Sequence, residues 1–335
     1  MLRFLRRNKT SILWLAMLFY VTRQTSFLGR DPGRDRPLPA SSPPAHGHRS
    51  GTEPEANESP EKSHPEGPRL KKILYWTRKE PWLEKSNKTL RAFNDVMNLT
   101  MTYRADSDIV LPYGYVFRNA SYPAGNRRHR VDPLRKRRSI AWPVSHCETE
   151  SKREGYAREL AKYIDLDVYG DCGPLKCPKE QNPECWRMFE RDYRFVLAFE
   201  NQACRDYITE KAYRPLEHNI VPIVYGGANY RHLLPKHSFI DANDFPDPKE
   251  LAKHLRHLAK NETAYNEYFA WKEGGFQVET YKEALMAKAF CKLCAIVHNK
   301  HYKYRRYRDL RKWWVDGACD NNILAKFKAS WTRSK

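Results

Sequence analysis

The chain has 335 residues, of which 41% are hydrophobic, and this is enough apolar material to bury a core, which excludes a wholly disordered chain. This length predicts two folded domains once non-globular ends are subtracted. The formal net charge of +20 favours a polyanionic partner, such as a nucleic acid, an anionic lipid or glycan, or a phosphorylated ligand. Charge alone does not choose among them.

The first 22 residues predict entry into the secretory pathway. Four basic residues within 1–9 precede the apolar run Ile12–Val21, and no small-x-small cleavage site follows it. The positive charge before the run orients the N-terminus to the cytosol. We therefore predict a cytosolic tail at 1–9, an uncleaved signal-anchor at 10–22 and a luminal remainder. A helix of this length would span only about 20 Å, so a cleaved signal peptide is the alternative.

Other features agree with a luminal location. The stretch 23–70 is rich in Pro, Gly, Ser and charge and almost lacks apolar residues, which predicts a disordered stem. A sequon at Asn57 is weakened by Pro60. The predicted glycosylation sites are Asn87, Asn98, Asn119 and Asn261.

The chain has eight cysteines, an even number that in an oxidising lumen most simply predicts a disulfide framework of unknown connectivity. The disulfide candidates are Cys147, Cys172, Cys177, Cys185, Cys204, Cys291, Cys294 and Cys319. Zinc half-sites at the two closely spaced pairs are disfavoured because the pairs lie far apart and no His-x3-5-His follows.

Strand signals recur from residue 138 onward. The apolar segments 140–144, 166–169, 195–199 and 220–224 predict buried strands. Helix signals alternate with them, so these units predict a parallel, Rossmann-like α/β domain over 138–320.

Three helix starts are predicted between these strands. A capping box of Ser151 and Glu154 predicts a helix to Tyr163. Asp206 is the predicted cap of a second helix, which Pro215 must end or kink. A third helix is predicted at 247–258, where an Asp cap is followed by Pro and Glu and by a leucine stripe.

The segment Phe195–Lys211 has the layout of a ligand site, because a buried strand leads into a polar turn and then a helix start. A helix N-terminus with Arg205 and Lys211 nearby can hold a pyrophosphate, and Glu210 can accept hydrogen bonds from ribose hydroxyls. Composition alone would favour a charged, solvated helix start.

The same segment resembles the donor-site signature of the α-1,3-fucosyltransferases. The similarity covers about 98–320 and is strongest to the invertebrate members. It is carried by Ala198–Asn201, Asp206–Lys211 and Val221–Gly226, with further matches at Tyr103–Gly114, Ala141–Cys147, Tyr169–Gly173, Cys291-x-x-Cys294 and Trp313-Trp314.

The resemblance implies an enzyme of the GT-B type, with two Rossmann-like domains, that transfers fucose from GDP-fucose to a GlcNAc hydroxyl with inversion. It implies a Golgi membrane location, an N-glycan or lactosamine acceptor, no required metal or cofactor and no nucleic-acid partner. By motif position, the donor-binding residues are Arg153 at the pyrophosphate, Asn201 and Tyr207 at the nucleotide, Glu210 at the ribose or fucose, and Lys211 at the phosphates. For Arg153, an exposed helix charge is the alternative.

Two Asp-x-Asp pairs, at Asp106 and Asp108 and at Asp165 and Asp167, look like metal motifs of other glycosyltransferases. The first belongs to the resemblance itself and the second alternates within a strand, so no metal site is predicted.

The acceptor half is short, because only 71–137 lie between the stem and the donor domain; the N-terminal Rossmann-like domain is therefore predicted to be truncated. The family places its general base in a Glu-Ser-Pro motif, and Glu80 of Glu80-Pro81-Trp82 lies at about the matching distance, with Glu84 as competitor. A catalytically inactive luminal relative that binds GDP-sugar or glycan is the alternative. Residues 321–335 form a predicted basic tail, and the Trp pair before it is predicted to pack on the donor domain.

Overall fold

The computed structural model describes residues 74–77, 90–119, 130–177 and 183–320. Outside these ranges lie the predicted signal-anchor, the stem, the basic tail, Glu80, Glu84 and Asn87. Within them, no helix combines the length and apolarity that crossing a membrane requires. All of the described residues belong to one compact unit.

The strands are β1 (Leu74–Trp76), β2 (Leu99–Thr102), β3 (Ile109–Val110), β4 (Tyr115–Arg118), β5 (Arg138–Pro143), β6 (Leu166–Tyr169), β7 (Tyr193–Phe199), β8 (Val221–Tyr225), β9 (Ile240–Asp241) and β10 (Phe276–Glu279). The helices are α1 (Arg153–Leu160), α2 (Pro183–Asp192), α3 (Glu210–Glu217), α4 (Tyr230–Leu233), α5 (Pro248–Leu258), α6 (Glu262–Asn266), α7 (Ala270–Glu273), α8 (Lys282–His298) and α9 (Leu310–Trp314).

The predicted parallel sheet is confirmed. Five parallel strands run in the order β6-β5-β7-β8-β9. Its central strands β7 and β8 are near-continuous apolar runs because helices cover both faces of such a sheet. The four predicted strand segments match β5, β6, β7 and β8 to within two residues at each end.

One core lies between this sheet and helices α1 and α5. Tyr156 and Leu160 of α1 and Leu251 and Leu255 of α5 are each fully buried there. The predicted start of α5 is confirmed, since the Asp247 side chain accepts a 2.9 Å hydrogen bond from the Glu250 amide. This N-cap fixes where the helix begins.

The predicted capping box of α1 is wrong. The N-cap is Lys152, in a left-handed conformation with φ 53°, and the helix ends at Leu160 instead of Tyr163. The Ser151 hydroxyl donates a 2.7 Å hydrogen bond to the Glu200 carbonyl, and Thr149, not Ser151, donates to the Glu154 carboxylate. Tertiary partners therefore take the groups that a local cap would use.

The predicted cap of α3 is also wrong. The N-cap is Thr209, whose hydroxyl accepts from the Lys211 amide, and the helix begins at Glu210. Asp206 instead has φ 60° and accepts a 3.1 Å hydrogen bond from the Ala105 amide. Pro215 lies inside the last turn, and α3 ends two residues later, at Glu217.

The region before residue 138 contributes two smaller sheets. β1, β2 and β3 are parallel and pack on α8 through buried side chains such as Met101 and Leu285. β4 pairs antiparallel with β10, which lies far along the sequence. The C-terminal segment then packs Trp314, which is fully buried, against Tyr103 and Tyr207. Trp314 thus shares its buried cluster with Tyr207 of the predicted donor domain and with Tyr103 of the region before residue 138.

Six cysteines form disulfides, and they pair as Cys147–Cys172, Cys177–Cys185 and Cys204–Cys319. Cys291 and Cys294 are exposed free thiols on α8, contrary to the expectation that all eight cysteines belong to the framework.

Candidate active site

A pocket of about 290 Å³ opens where the strand order of the main sheet reverses, between β5 and β7. In open parallel sheets ligands bind at this position, beyond the carboxyl ends of the strands. The pocket is lined from β5, α1, α2, the turn after β7 and α3, with Ser145, His146, Arg153, Trp186, Asn201, Glu210, Lys211 and Arg214 among its polar and aromatic side chains. Residues of the segment Phe195–Lys211, which the sequence predicted as a ligand site, therefore line a cavity.

A buried carboxylate organises the loop of residues 200–209 that connects β7 to α3. Glu200 follows β7 directly and is fully buried. It accepts a 2.7 Å hydrogen bond from the Thr209 amide and 2.9 Å bonds from the Thr209 hydroxyl. Lys211 Nζ lies 3.3 Å from the second carboxylate oxygen of Glu200. The turn and the first residues of α3 are thus tied to the end of β7.

The charges of this network differ in exposure. Burial raises the pKa of Glu200, and Lys211 offsets only part of that effect. Burial alone would lower the pKa of Lys211, but Glu200 and Glu210 outweigh it and raise that pKa. The Lys211 side chain keeps 24% exposure, whereas that of Glu200 has none. Lys211 is therefore a cation that is fixed by two carboxylates and still partly exposed to the pocket.

Glu210 is the third charge at the helix start. Its carboxylate lies 3.6 Å from Lys211 Nζ and keeps 43% exposure. Burial works to raise the pKa of Glu210, but Lys211 and a backbone hydrogen bond outweigh it and lower the pKa. An ionised carboxylate beside the pocket can accept hydrogen bonds from ligand hydroxyls.

Arg153 is buried, with 2% exposure, and is not the exposed helix charge considered as the alternative. Its guanidinium donates to the carbonyls of Phe199 and His146, so it ties the carboxyl end of β7 to the loop after β5. Its Nε has no hydrogen-bond partner among the described residues. Burial lowers the pKa of Arg153, and the nearby Glu200 carboxylate counters this.

Of the remaining two predicted donor residues, Asn201 and Tyr207, only Asn201 lines the pocket. Asn201 lines the pocket, and its Oδ1 is buried without a hydrogen-bond partner in the described part of the chain. Tyr207 does not line the pocket. It is buried in an aromatic cluster, with ring centroids 5.1 Å from Tyr103 and 6.0 Å from Tyr113. Four of the five predicted donor residues are thus brought together, and the fifth packs behind them.

Sequence reasoning did not single out Glu200, His146, Trp186 and Arg214 as site residues. Arg214 lies one turn after Lys211 on α3, so helical spacing was a signal that could have found it. Glu200 lies in the motif segment Ala198–Asn201, but no local pattern indicates its burial, because a carboxylate after a strand is usually solvated. Trp186 comes from α2, and its place depends on the Cys177–Cys185 disulfide next to it.

Three of the four carboxylates of the Asp-x-Asp pairs are engaged within the chain, and the fourth, Asp165, lies just before β6. Asp106 pairs with Arg104 at 2.6 Å and Arg205 at 2.8 Å. Asp108 accepts from the Thr100 amide at 2.8 Å, and Asp167 accepts from the Tyr193 hydroxyl at 2.7 Å. The part of the chain that is described holds no group of three His, Cys, Asp or Glu side chains placed to bind a metal.

Three of the four predicted glycosylation sites lie within the residues that the structure describes. Asn98 is only 9% exposed at the start of β2. Asn119 follows β4, and Asn261 is the N-cap of α6, where its side chain accepts from the Ala264 amide. The Asn119 Nδ2 atom donates a 3.3 Å hydrogen bond to the Gln277 side chain.

Comparison with known families decides the assignment. Residues 133–313 match the C-terminal region of glycosyltransferase family 10 (fucosyltransferase), and residues 50–114 match the fucosyltransferase N-terminal family. The chain belongs to glycosyltransferase family 10. The family match covers the main sheet, its pocket and the C-terminal segment as far as Trp313.

Among the family 10 relatives, glycoprotein 3-alpha-L-fucosyltransferase A of Drosophila melanogaster is 39% identical over 244 residues, which are 70% of this chain and 46% of that protein. Alpha-(1,3)-fucosyltransferase C of the same species is 37% identical over 65% of this chain and 54% of that protein. The chain therefore spans about half the length of these curated relatives. A solved alpha1,3-fucosyltransferase with GDP-fucose aligns over 72% of this chain and 79% of its own, with a TM-score of 0.48 and 15% identity.

Proposed function

We propose that this chain is an inverting α-1,3-fucosyltransferase that moves fucose from GDP-fucose to a GlcNAc hydroxyl of a glycoprotein N-glycan or lactosamine. The observation that carries the proposal is the Glu200–Thr209–Lys211 network beside the pocket at the strand-order reversal. Family membership supports the same reaction, since the relatives' names specify 3-fucosyl transfer.

The donor diphosphate would bind at the start of α3. Lys211 and Arg214 line the pocket there, and the backbone amides of a helix N-terminus favour a negative group. As the bond to fucose breaks, negative charge builds on the departing GDP, and fixed cations close by stabilise it. Glu210 would accept hydrogen bonds from ribose or fucose hydroxyls.

Arg153 and Asn201 would complete the nucleotide end of the site. Each lines the pocket and carries a buried polar atom without a partner in the described ranges, and such atoms are usually satisfied by a ligand or water. Tyr207 would have an indirect role, because it packs in the aromatic cluster and supports the 200–209 loop instead of touching the nucleotide.

Inversion requires a general base for the acceptor hydroxyl, and we propose Glu80. Glu80→Gln should reduce fucose transfer by a hundredfold or more, on the order of the contribution of a general base, and leave GDP binding unchanged. Glu84→Gln is the matched control. If Glu84→Gln removes transfer and Glu80→Gln does not, the base assignment is wrong.

We place the enzyme in the Golgi membrane through the 10–22 segment, with its catalytic part in the lumen. The direct test is fucose transfer from GDP-fucose to a panel of N-glycan and lactosamine acceptors, with and without EDTA. Transfer that persists in EDTA would support a metal-independent enzyme and identify its acceptor. GDP binding without transfer to any acceptor would instead support the inactive relative.

A further inference from the structure

The donor pocket has two chemically different walls. One is cationic, because Lys211 and Arg214 lie one turn apart on α3. The other is apolar and belongs to the hydrophobic cluster beneath α2, which contributes Cys177, Cys185, Trp186, Phe189 and Val196. A nucleoside diphosphate is divided in the same way, since its diphosphate is anionic and its base is a flat ring system. The cationic wall suits the diphosphate, which leaves the apolar wall for the base.

Trp186 has the largest aromatic side chain on the apolar wall. Its indole is stacked on the imidazole of His218, with ring centroids 5.4 Å apart and planes within 10° of parallel. His218 directly follows α3 and lies four residues after Arg214. The stack therefore joins α2 to the end of α3 beside the pocket. A ring held in this way loses little freedom when a ligand packs against it, which favours binding.

Polar contacts hold His218 in place under the indole. Its Nδ1 lies 3.0 Å from the carboxylate of Glu190, which also accepts a 3.1 Å hydrogen bond from the Asn219 amide. Lys272 Nζ donates to the His218 carbonyl at 2.7 Å. The hydrogen bond with His218 lowers the pKa of Glu190 by more than burial raises it. An ionised Glu190 thus fixes the imidazole on which Trp186 stacks.

We propose that the base of the donor nucleotide packs against the Trp186 indole and that His218, held by Glu190, is a positioning residue for that ring. Every nucleobase presents a π-face to an aromatic side chain, and one such stack changes affinity by roughly fivefold to a hundredfold. A purine covers more of an indole than a pyrimidine does, so this contact favours GDP over UDP. The inference rests on the proposed nucleotide-sugar donor and adds the part of the site that recognises the base.

Isothermal titration calorimetry on the full chain, purified with its disulfides formed, tests the assignment. Trp186→Leu should weaken GDP binding by about tenfold or more, because the stack is lost. It should weaken UDP binding less and leave the binding of inorganic pyrophosphate unchanged, because the cationic wall is intact. Trp76→Leu, which replaces a 49% exposed indole on β1, is the matched control and should change none of these affinities.

Tryptophan fluorescence gives a second readout that a purely structural role would not change. The chain has nine tryptophans, and a base packed on one of them should quench its emission. The GDP-induced quench of the wild type should therefore persist in Trp76→Leu and disappear in Trp186→Phe. Because Trp186→Phe keeps an aromatic ring, it should bind GDP within a few-fold of the wild type, and it tests the contact even if Trp186→Leu folds poorly.

A double-mutant cycle tests the positioning role of His218. His218→Ala should weaken GDP binding several-fold by itself and add little in Trp186→Leu, because its effect passes through the indole. Additive effects of the two substitutions would overturn that role.

The outcomes separate this inference from the proposed function. Unchanged GDP affinity in a folded Trp186→Leu variant, or an equal loss of GDP and pyrophosphate binding, would overturn the base contact and leave the donor assignment standing. A wild type that binds neither GDP nor pyrophosphate would overturn the proposed donor and the base contact together.

Discussion

At the residue scale, Lys211 is the cation on which the proposed donor site depends. It is the counter-charge of the buried Glu200 and still keeps part of its surface in the pocket. An interaction of this kind with a phosphate is charge-assisted and therefore stronger than a neutral hydrogen bond. Its removal affects both the ligand and the carboxylate behind it.

Lys211→Ala should weaken GDP binding by at least tenfold, because a charge-assisted contact contributes about 1.5–3 kcal/mol. Isothermal titration calorimetry with GDP measures this directly. Lys249→Ala, on the exposed first turn of α5, is the control for loss of one positive charge. Lys211→Ala also leaves the buried Glu200 carboxylate without its counter-charge. The double variant Glu200→Gln/Lys211→Ala therefore tests whether removing that carboxylate restores the stability lost in Lys211→Ala while GDP binding stays weak. Unchanged GDP affinity in a folded Lys211→Ala variant would refute the donor assignment.

Asp241 gives the chain a predictable dependence on pH. Burial raises its pKa from 3.8 to about 6, although Asn243 donates to its carboxylate. A raised pKa means that the folded chain binds more protons than the unfolded chain between pH 4 and 6, so ionised Asp241 destabilises the fold above that range. Asp241→Asn should therefore raise the free energy of unfolding at pH 8 by up to about 3 kcal/mol and have no effect below pH 4.

Urea unfolding of the wild type and Asp241→Asn at several pH values measures that difference. Asp132→Asn is the control, because the Asp132 carboxylate is 40% exposed and lies more than 100 residues from Asp241 in the sequence. This variant should show no comparable trend with pH. A stabilisation by Asp241→Asn that is the same at pH 4 and pH 8 would contradict the assignment of a raised pKa.

At the element scale, local signals predicted strands better than helix starts. β7 and β8 are apolar runs, and their burial on both faces makes them recognisable without tertiary information. Helices α1 and α3 begin elsewhere than predicted because the side chains of Ser151 and Asp206 bond to distant backbone atoms. α5 begins where predicted because its cap partner is local.

The Asp247 cap should therefore be measurable by itself. Asp247→Ala should lower the free energy of unfolding by about 1 kcal/mol, the usual effect of losing an N-cap, and leave GDP affinity unchanged. Asp247→Asn retains an accepting oxygen and should behave nearly as the wild type. Chemical denaturation with parallel GDP titration checks both variants. A loss of GDP affinity in Asp247→Ala would show that α5 contributes to the pocket, contrary to its position on the core.

The same contrast explains what the sequence could predict about the site. Arg153, Asn201, Glu210 and Lys211 were predicted from motif position, and the fold brings them to one pocket. The buried role of Glu200 and the tie from Arg153 to two carbonyls depend on β5 and β7 being neighbours in the sheet. The β4–β10 pairing joins segments far apart in the sequence, so no local pattern predicts it.

At the scale of the whole molecule, the Cys204–Cys319 disulfide holds the C-terminal segment to the loop beside the donor pocket. Backbone hydrogen bonds from Arg205 to Ala318 at 2.7 Å and from Asp320 to Ala203 at 2.8 Å flank it. This crossing closes a much longer loop than the Cys177–Cys185 disulfide does, with separations of 115 and 8 residues.

Replacing each disulfide by two alanines should therefore have unequal effects. Chain entropy predicts losses of about 5 kcal/mol for Cys204–Cys319 and about 2.5 kcal/mol for Cys177–Cys185. Thermal or chemical unfolding of the two double variants compares them under the same conditions. Equal losses, or a larger loss for Cys177–Cys185, would show that local packing and not loop closure sets their contributions.

The long disulfide also orders events during synthesis. In the proposed luminal orientation, translation in chain order presents Cys147, Cys172, Cys177 and Cys185 with all their partners before Cys204 appears. Cys204 cannot pair until Cys319 has been synthesised. Translation of the 115 residues that separate the two cysteines takes on the order of ten seconds. During that interval its thiol is open to exchange with the earlier pairs. The loop beside the nucleotide pocket is therefore the last part of the molecule to be covalently secured, and only a chain translated through Cys319 carries it closed.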